Sequence, residues 1–271
     1  MGKLPPKAYK NLSFLNSSEA RMIRILSEYL EPRVRFTKHD VENTIVMFGS
    51  ARTLPRESAL EALKSAKNKH KKTPNPDNAL AVKMAEKRVE LSQYYEDCRE
   101  LAKMLTEWSI KRGNGENSYY IASGGGPGMM EAANRGASEA DGGESVGLNI
   151  SLPMEQGCNP YITDDLNFEF HYFFMRKFWF IYLAKAIVAY PGGFGTLDEL
   201  FEVLTLIQTR KVNKKLPVVL YGKEYWHNLI NFDALVENMM INKEDMDLIY
   251  FAESNQDAFD YLTAHLNGDS E

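Results

Sequence analysis

The sequence runs to 271 residues, enough to bury a sizeable core, and its 44% hydrophobic and 25% charged residues are those of an ordinary globular protein. Its formal charge of −5 argues against nucleic acid as a main partner, and its two cysteines, Cys98 and Cys158, exclude a disulfide framework or a cysteine metal cage. The opening MGKLPPKAYK has no hydrophobic signal core, and the most apolar run, residues 178–190, is short and contains Lys185, so the expectation is a cytoplasmic protein with no membrane partner.

Residues 1–42 read as a helical extension ahead of a domain covering 43–271. Ser17-Ser18-Glu19 opens a helix whose apolar face is Ala20, Met22, Ile23, Ile25, Leu26 and Leu30, and Pro32 is expected to stop it. Packing or subunit contact is its expected role. The first strand, residues 43–48 (NTIVMF), runs into Gly49-Ser50-Ala51-Arg52, a candidate ligand loop whose arginine could meet an anion. Residues 56–78 then carry Lys64, Lys67, Lys69, Lys71 and Lys72 without interleaved aromatics, which reads as a solvated helix end and loop rather than a nucleic-acid site.

A long helix follows over 78–112, with Ala81, Met84, Ala85, Val89, Tyr94, Leu101, Met104 and Leu105 on its buried side, ended by Gly113-Asn114-Gly115. Strand 119–122 leads into the glycine loop Ser123-Gly124-Gly125-Gly126-Pro127-Gly128 and a helix over 129–139. Short strands are expected at 146–150 and 167–169, then a buried strand at 186–190, the loop Pro191-Gly192-Gly193-Phe194-Gly195-Thr196, and an amphipathic helix carrying Leu197, Leu200, Phe201 and Leu204. Strand 217–221, helix 224–239, strand 248–252 and helix 256–265 complete the series. This alternation predicts an α/β fold: a Rossmann-like, doubly wound parallel sheet with helices on both faces and the N-terminal helical extension attached.

Three glycines between a strand and a helix N-terminus present bare backbone N–H groups at the positive end of the helix dipole, a setting that suits phosphate. The loop is not a Walker A motif, since no Gly-Lys-Ser/Thr follows, nor GxGxxG, since Asp198 stands where the last glycine belongs. Thr196 and Glu199 also fit a capping box, in which both merely satisfy backbone N–H groups. Against that plain reading stands the position of the carboxylate, beside a phosphate-type loop at a strand's C-terminal end. Arg176 and Lys177 sit within the apolar segment 171–180, where two cations are costly unless they meet anions, and a ligand phosphate and Glu199 are the candidates. The aromatics of that segment read as core.

Phe174-Met175-Arg176-Lys177 followed by Pro191-Gly192-Gly193-Phe194-Gly195-Thr196-Leu197-Asp198-Glu199 resembles the Lonely Guy family of cytokinin riboside 5′-monophosphate phosphoribohydrolases, long labelled lysine decarboxylase-like. Gly49-Ser50-Ala51-Arg52 and Ser123 through Glu131 fit the same pattern in the same order, so the resemblance covers about residues 43–240 and looks like a longer, bacterial-type member. It implies hydrolysis of the N-glycosidic bond of a nucleoside 5′-monophosphate, of AMP or cytokinin riboside type, to free base and ribose 5-phosphate. No cofactor or metal is implied, and a homodimer or higher homo-oligomer is. By resemblance Arg176 and Glu199 are the catalytic pair. Lys177, Gly192, Gly193, Gly195 and Thr196 would bind phosphate and ribose. Ser123, Gly124, Gly125 and Gly126 would line the pocket with Gly49 and Ser50, and Glu155 would match a glutamate near the base.

The decarboxylase label fits poorly, since a pyridoxal phosphate enzyme needs a Schiff-base lysine and Lys177 beside Arg176 is better placed as a phosphate contact. A serine hydrolase is excluded by the lack of GxSxG. The alternative from another class is a non-catalytic nucleotide or cofactor carrier, which needs the glycine loops but not the Arg176–Glu199 pair.

Overall fold

The computed structural model describes residues 4–114, 117–152 and 157–267. Among these, the strands are β1 Thr44–Phe48, β2 Tyr120–Ser123, β3 Ser145–Ile150, β4 Asn167–Phe170, β5 Ala184–Ala189, β6 Val218–Tyr221 and β7 Ile249–Ala252. They form one all-parallel sheet in the order β4-β3-β2-β1-β5-β6-β7, the expected Rossmann-like arrangement. The central strands are mostly apolar because both faces are covered. In β1, Val46 and Phe48 enter one core while Ile45 and Met47 enter the other; in β5, Ile187 and Ala189 oppose Ala186 and Val188 in the same way.

The helices are α1 Leu12–Leu15, α2 Arg21–Lys38, α3 Arg56–Lys72, α4 Pro76–Arg112, α5 Met129–Ser138, α6 Phe173–Tyr182, α7 Phe194–Gln208, α8 Lys223–Leu229, α9 Phe232–Glu237 and α10 Asn255–Asn267. One core gathers Phe36 of α2, Met175 and Trp179 of α6, Leu200 of α7 and Trp226 of α8. The other gathers Tyr95 and Leu101 of α4, Met129 of α5 and Leu262 of α10. No helix of the described residues is long and apolar enough to cross a membrane.

Two local expectations are corrected. Pro32 does not stop α2, which continues to Lys38. Proline has no N–H to donate to the carbonyl four residues back, and the Trp179 indole N–H donates to that Glu28 carbonyl instead, at 3.0 Å. The expected helix 224–239 is two helices: Asn231 leaves helical geometry and accepts the Ala234 N–H at 3.0 Å, capping α9. The lysine-rich segment is the expected solvated helix end: α3 runs to Lys72 with its lysines exposed, and after a short loop Asn75 caps α4 by accepting the Asn78 N–H at 2.8 Å.

The chain lays β1 to β4 outward in one direction and then returns to place β5 on the other side of β1. Winding reverses there, so the loops leaving β1 and β5 diverge and open a crevice at the strands' C-terminal ends. Gly128 holds the next loop against it. Its φ of +75° suits glycine, and a Cβ there would stand 2.4 Å from the Ser50 carbonyl oxygen.

Candidate functional site

That crevice is a cleft of about 860 Å³. Its walls come from four loops and the first turns of α6 and α7. They include Gly49, Ser50 and Arg52 after β1, Gly124, Gly125 and Gly126 after β2, Asn149 and Ser151 around the end of β3, and the run Gly192 to Thr196 after β5. Arg176 and Glu199 enter from the two helices.

Arg176 and Glu199, 23 residues apart in sequence, meet with Nη2 donating to Oε1 at 2.5 Å, their side chains only 12% and 13% exposed. α7 has Gly193 as its N-cap without a side-chain cap, so the Thr196–Glu199 capping box does not form. Burial pushes the Glu199 carboxyl up, Arg176 and Lys177 draw it down, Asp198 and Glu202 raise it, and the balance stands at about 7. The guanidinium lies near the Phe173 and Phe180 rings, 5.6 and 5.4 Å from their centroids, and its buried Nε finds no partner among the described residues. The contact with Glu199 engages Nη2, one of the three nitrogens of a guanidinium that lines the cleft.

The glycines of the β5–α7 loop divide by what surrounds them. At Gly192 an added Cβ would fall 2.1 Å from Thr196 Oγ1, so packing requires this glycine. At Gly193 and Gly195 the position is open, with no positive φ, so nothing within the chain demands glycine at either place. Bare N–H groups at the head of a helix facing a cleft suit an anion that comes close to the backbone. The Tyr225 hydroxyl donates to the Gly192 carbonyl at 2.6 Å and braces the loop from behind.

The β2 loop is held by buried amides. Asn159 donates from Nδ2 to the carbonyls of Gly125 and Gly126, both at 3.1 Å, and to Asn134 Oδ1 at 3.0 Å, while its backbone N–H reaches Gly125 O at 2.7 Å. Asn149 packs so closely under Gly125 that a Cβ there would stand 2.0 Å from its Oδ1.

Two residues expected in the cleft lie elsewhere. Ser123 is fully buried and its hydroxyl donates to the Met47 carbonyl at 2.6 Å, pinning β2 to β1. Lys177 follows Arg176 by one helical step of about 100° and turns to the outer side, where Nζ pairs with Asp198 at 2.7 Å and Glu202 at 2.9 Å. Burial lowers this ammonium's pKa, but the two carboxylates outweigh it and hold it above the ordinary lysine range. Glu155 lies outside the described residues.

Sequence reasoning missed Asn149, Ser151, Glu169, Phe173 and Tyr225, which also line the cleft. Glu169 brings a second carboxylate, accepting the Ser151 hydroxyl at 2.7 Å. A signal existed for two of them: Asn149 and Glu169 are polar residues near the C-terminal ends of their strands. Among the described residues no group of three or more His, Cys, Asp or Glu is placed to hold a metal ion. The donors and acceptors present suit an organic phosphate.

A family model described as possible lysine decarboxylase matches residues 130–262. A probable cytokinin riboside 5′-monophosphate phosphoribohydrolase of Oryza sativa subsp. japonica is 35% identical over 85 residues, 31% of this chain and 39% of that protein. A cytokinin riboside 5′-monophosphate phosphoribohydrolase of Arabidopsis thaliana is 36% identical over 88 residues, 30% of this chain and 40% of that one. The matches thus span about two fifths of the length of these curated relatives. The solved structure of a molybdenum cofactor binding protein from Rippkaea orientalis superposes with a TM-score of 0.44 at 19% identity, over 64% of this chain and 88% of that one.

Proposed function

The chain belongs to the Lonely Guy family, whose model is the one described as possible lysine decarboxylase, and from that premise we propose that it hydrolyses the N-glycosidic bond of a nucleoside 5′-monophosphate. The observation that carries this reading is the Arg176–Glu199 pair, 2.5 Å apart in a cleft walled by glycine loops. In the reaction water adds to the anomeric carbon, the bond to the ring nitrogen breaks, and free base and ribose 5-phosphate leave. The phosphate sits on the N–H groups at the head of α7 and beside Arg52, and the base lies along Met130, Ile150 and Phe173.

Breaking a ribosyl–base bond passes through an oxocarbenium-like state, as in glycoside hydrolysis, and the Glu199 carboxylate stabilises that charge or takes a proton from the attacking water. A carboxyl titrating near 7 exchanges protons readily at neutral pH. The guanidinium of Arg176 eases negative charge on the departing base or holds the phosphate. Decarboxylation of lysine is a poorer reading, because Lys177 is kept protonated by two carboxylates and no lysine lines the described cleft.

The test is incubation of the purified protein with AMP, cytokinin riboside monophosphates and other nucleoside monophosphates, with chromatography for free base. Glu199→Gln and Arg176→Ala are expected to lower kcat by on the order of 100-fold or more while retaining the folded circular dichroism spectrum. Tight nucleotide binding without base release from any of them would favour the carrier instead. We place the protein in the cytoplasm as a homo-oligomer, and the exposed ladder Phe174, Phe178 and Tyr182 along α6 is the surface we assign to self-contact.

A further inference from the structure

Tyr172 and Trp179 are two turns apart on α6, and Arg176 lies between them. Both places are gripped by one residue of α2. The Glu28 carboxylate accepts the backbone N–H groups of His171 at 2.8 Å and Tyr172 at 3.3 Å. The Glu28 carbonyl accepts the Trp179 indole N–H at 3.0 Å, because Pro32 supplies no N–H to it. α6 has no side-chain cap of its own, so the carboxylate of α2 provides the negative group that the head of this helix favours. Tyr29 and Phe36 pack their rings on Trp179, at centroid separations of 5.9 and 5.3 Å.

Arg176 has no comparable anchor. Glu199 is its polar partner, its Nε is unpaired among the described residues, and its other neighbours are two rings. The seat of α6 therefore decides where the guanidinium stands. α2 lies outside the residues matched by the family model, so this grip is a feature of the chain that the family match does not describe.

We propose that Glu28 is a positioning residue for Arg176, setting the guanidinium against Glu199 by holding α6 at the head of the helix and at Trp179. Its catalytic consequence rests on the reading of Arg176 and Glu199 as the reacting pair; its geometric content does not. An arginine displaced by even one ångström loses much of its effect on a neighbouring charge and on a transition state. The charged groups acting on Glu199 are Arg176 and Lys177 from α6 and Asp198 and Glu202 from its own helix, and Glu169 on β4 lines the same cleft.

The experiment follows the Glu199 side-chain carboxyl by carbon NMR against pH in the full chain and in Glu28→Ala, Glu28→Gln and Trp179→Phe, alongside steady-state kinetics on the nucleotide that the unaltered protein cleaves. Arg176 lowers the Glu199 pKa, so loosening it in Glu28→Ala raises the titration midpoint. The expected kinetics are a kcat lower by on the order of tenfold, a KM within about twofold, and an acid limb of the pH profile that moves with the midpoint. Glu28→Gln keeps one acceptor oxygen and falls between the two. A lower melting temperature with unchanged midpoint and unchanged kcat in all three variants overturns the proposal and leaves Glu28 a merely stabilising residue. Should Glu28→Ala fail to fold, Glu28→Gln and Trp179→Phe decide by the same midpoint. Should the unaltered protein release no base, the activity reading fails, and the NMR midpoint still decides the positioning.

Discussion

Gly193 and Gly195 separate a packing role from a ligand role. A Cβ at either place meets nothing within 4 Å, and neither has a positive φ. Gly195 lies inside α7, so Gly195→Ala is expected to stabilise the fold by about 0.4–1 kcal/mol, and Gly193→Ala to change stability little. Both variants are nonetheless expected to raise KM on the order of tenfold by crowding the bare N–H groups. Gly192→Ala should instead destabilise by about 1–3 kcal/mol, because its Cβ collides with Thr196. Urea melts beside Michaelis kinetics distinguish the two classes. If all three variants lose stability alike and none loses affinity, the loop is structural only.

Glu199 makes a pH prediction of definite sign. Its folded carboxyl, at about 7, lies above the ordinary value of 4.5. In the proposed reaction the ionised form works, so kcat/KM is expected to fall as pH drops through about 7, and this limb to vanish in Glu199→Gln. A raised carboxyl also makes the folded state bind protons more tightly than the unfolded chain. Its contribution to stability is fully present below about 4.5 and is lost as pH rises through about 7. The stability of the unaltered protein relative to Glu199→Gln should therefore decline across that window in denaturant titrations. A flat difference would mean the carboxyl titrates normally.

At the scale of elements, the glycine loop after β2 depends on Asn159, whose amide holds two of its carbonyls and Asn134. Asn159→Ala leaves buried acceptors unpaired, and a loss of about 1–3 kcal/mol is expected, measured as a lower denaturant midpoint at unchanged slope. Other element-level features differ in how far the sequence reveals them. Period-two burial, apolar runs and glycine punctuation mark strands and loops from local pattern alone, which is why the β/α alternation and the three glycine loops were legible. Pro32 was misread because the partner that replaces its missing hydrogen bond, Trp179, lies 147 positions further along the chain. The 224–239 helix was misread because a capping asparagine also fits an amphipathic face.

Over the whole molecule, the division into a 1–42 extension and a 43–271 nucleotide-binding domain remains our proposal. Phe36 and Val41 already belong to one of the two cores, and Phe36 rests on Phe168 and Trp179. Removing residues 1–42 is therefore expected to lower the melting temperature by several degrees, since losing a buried Phe alone costs about 3–5 kcal/mol; an unchanged melting curve would show the extension to be dispensable. The exposed α6 ladder yields a second expectation: Phe174→Glu with Tyr182→Glu should shift the sedimentation coefficient toward the monomer. Identical sedimentation of variant and parent would exclude that face as the contact.

What the amino-acid order settled unaided was mostly what has a short period or a tight motif: alternating strands and helices, loops that bare their backbone, and an arginine and a glutamate in a recognisable pattern. These depend on neighbours within a few residues, where side-chain spacing and backbone preference act directly. Tertiary structure alone decided which of two adjacent cations faces the cleft, that Ser123 is a strand pin, that Glu169 and Tyr225 join the site, and that Glu28 holds the helix bearing Arg176. The reason is physical: a side chain's direction follows from the rotation of its helix or strand in the packed core, and contacts across tens of residues exist only once the sheet has closed around them.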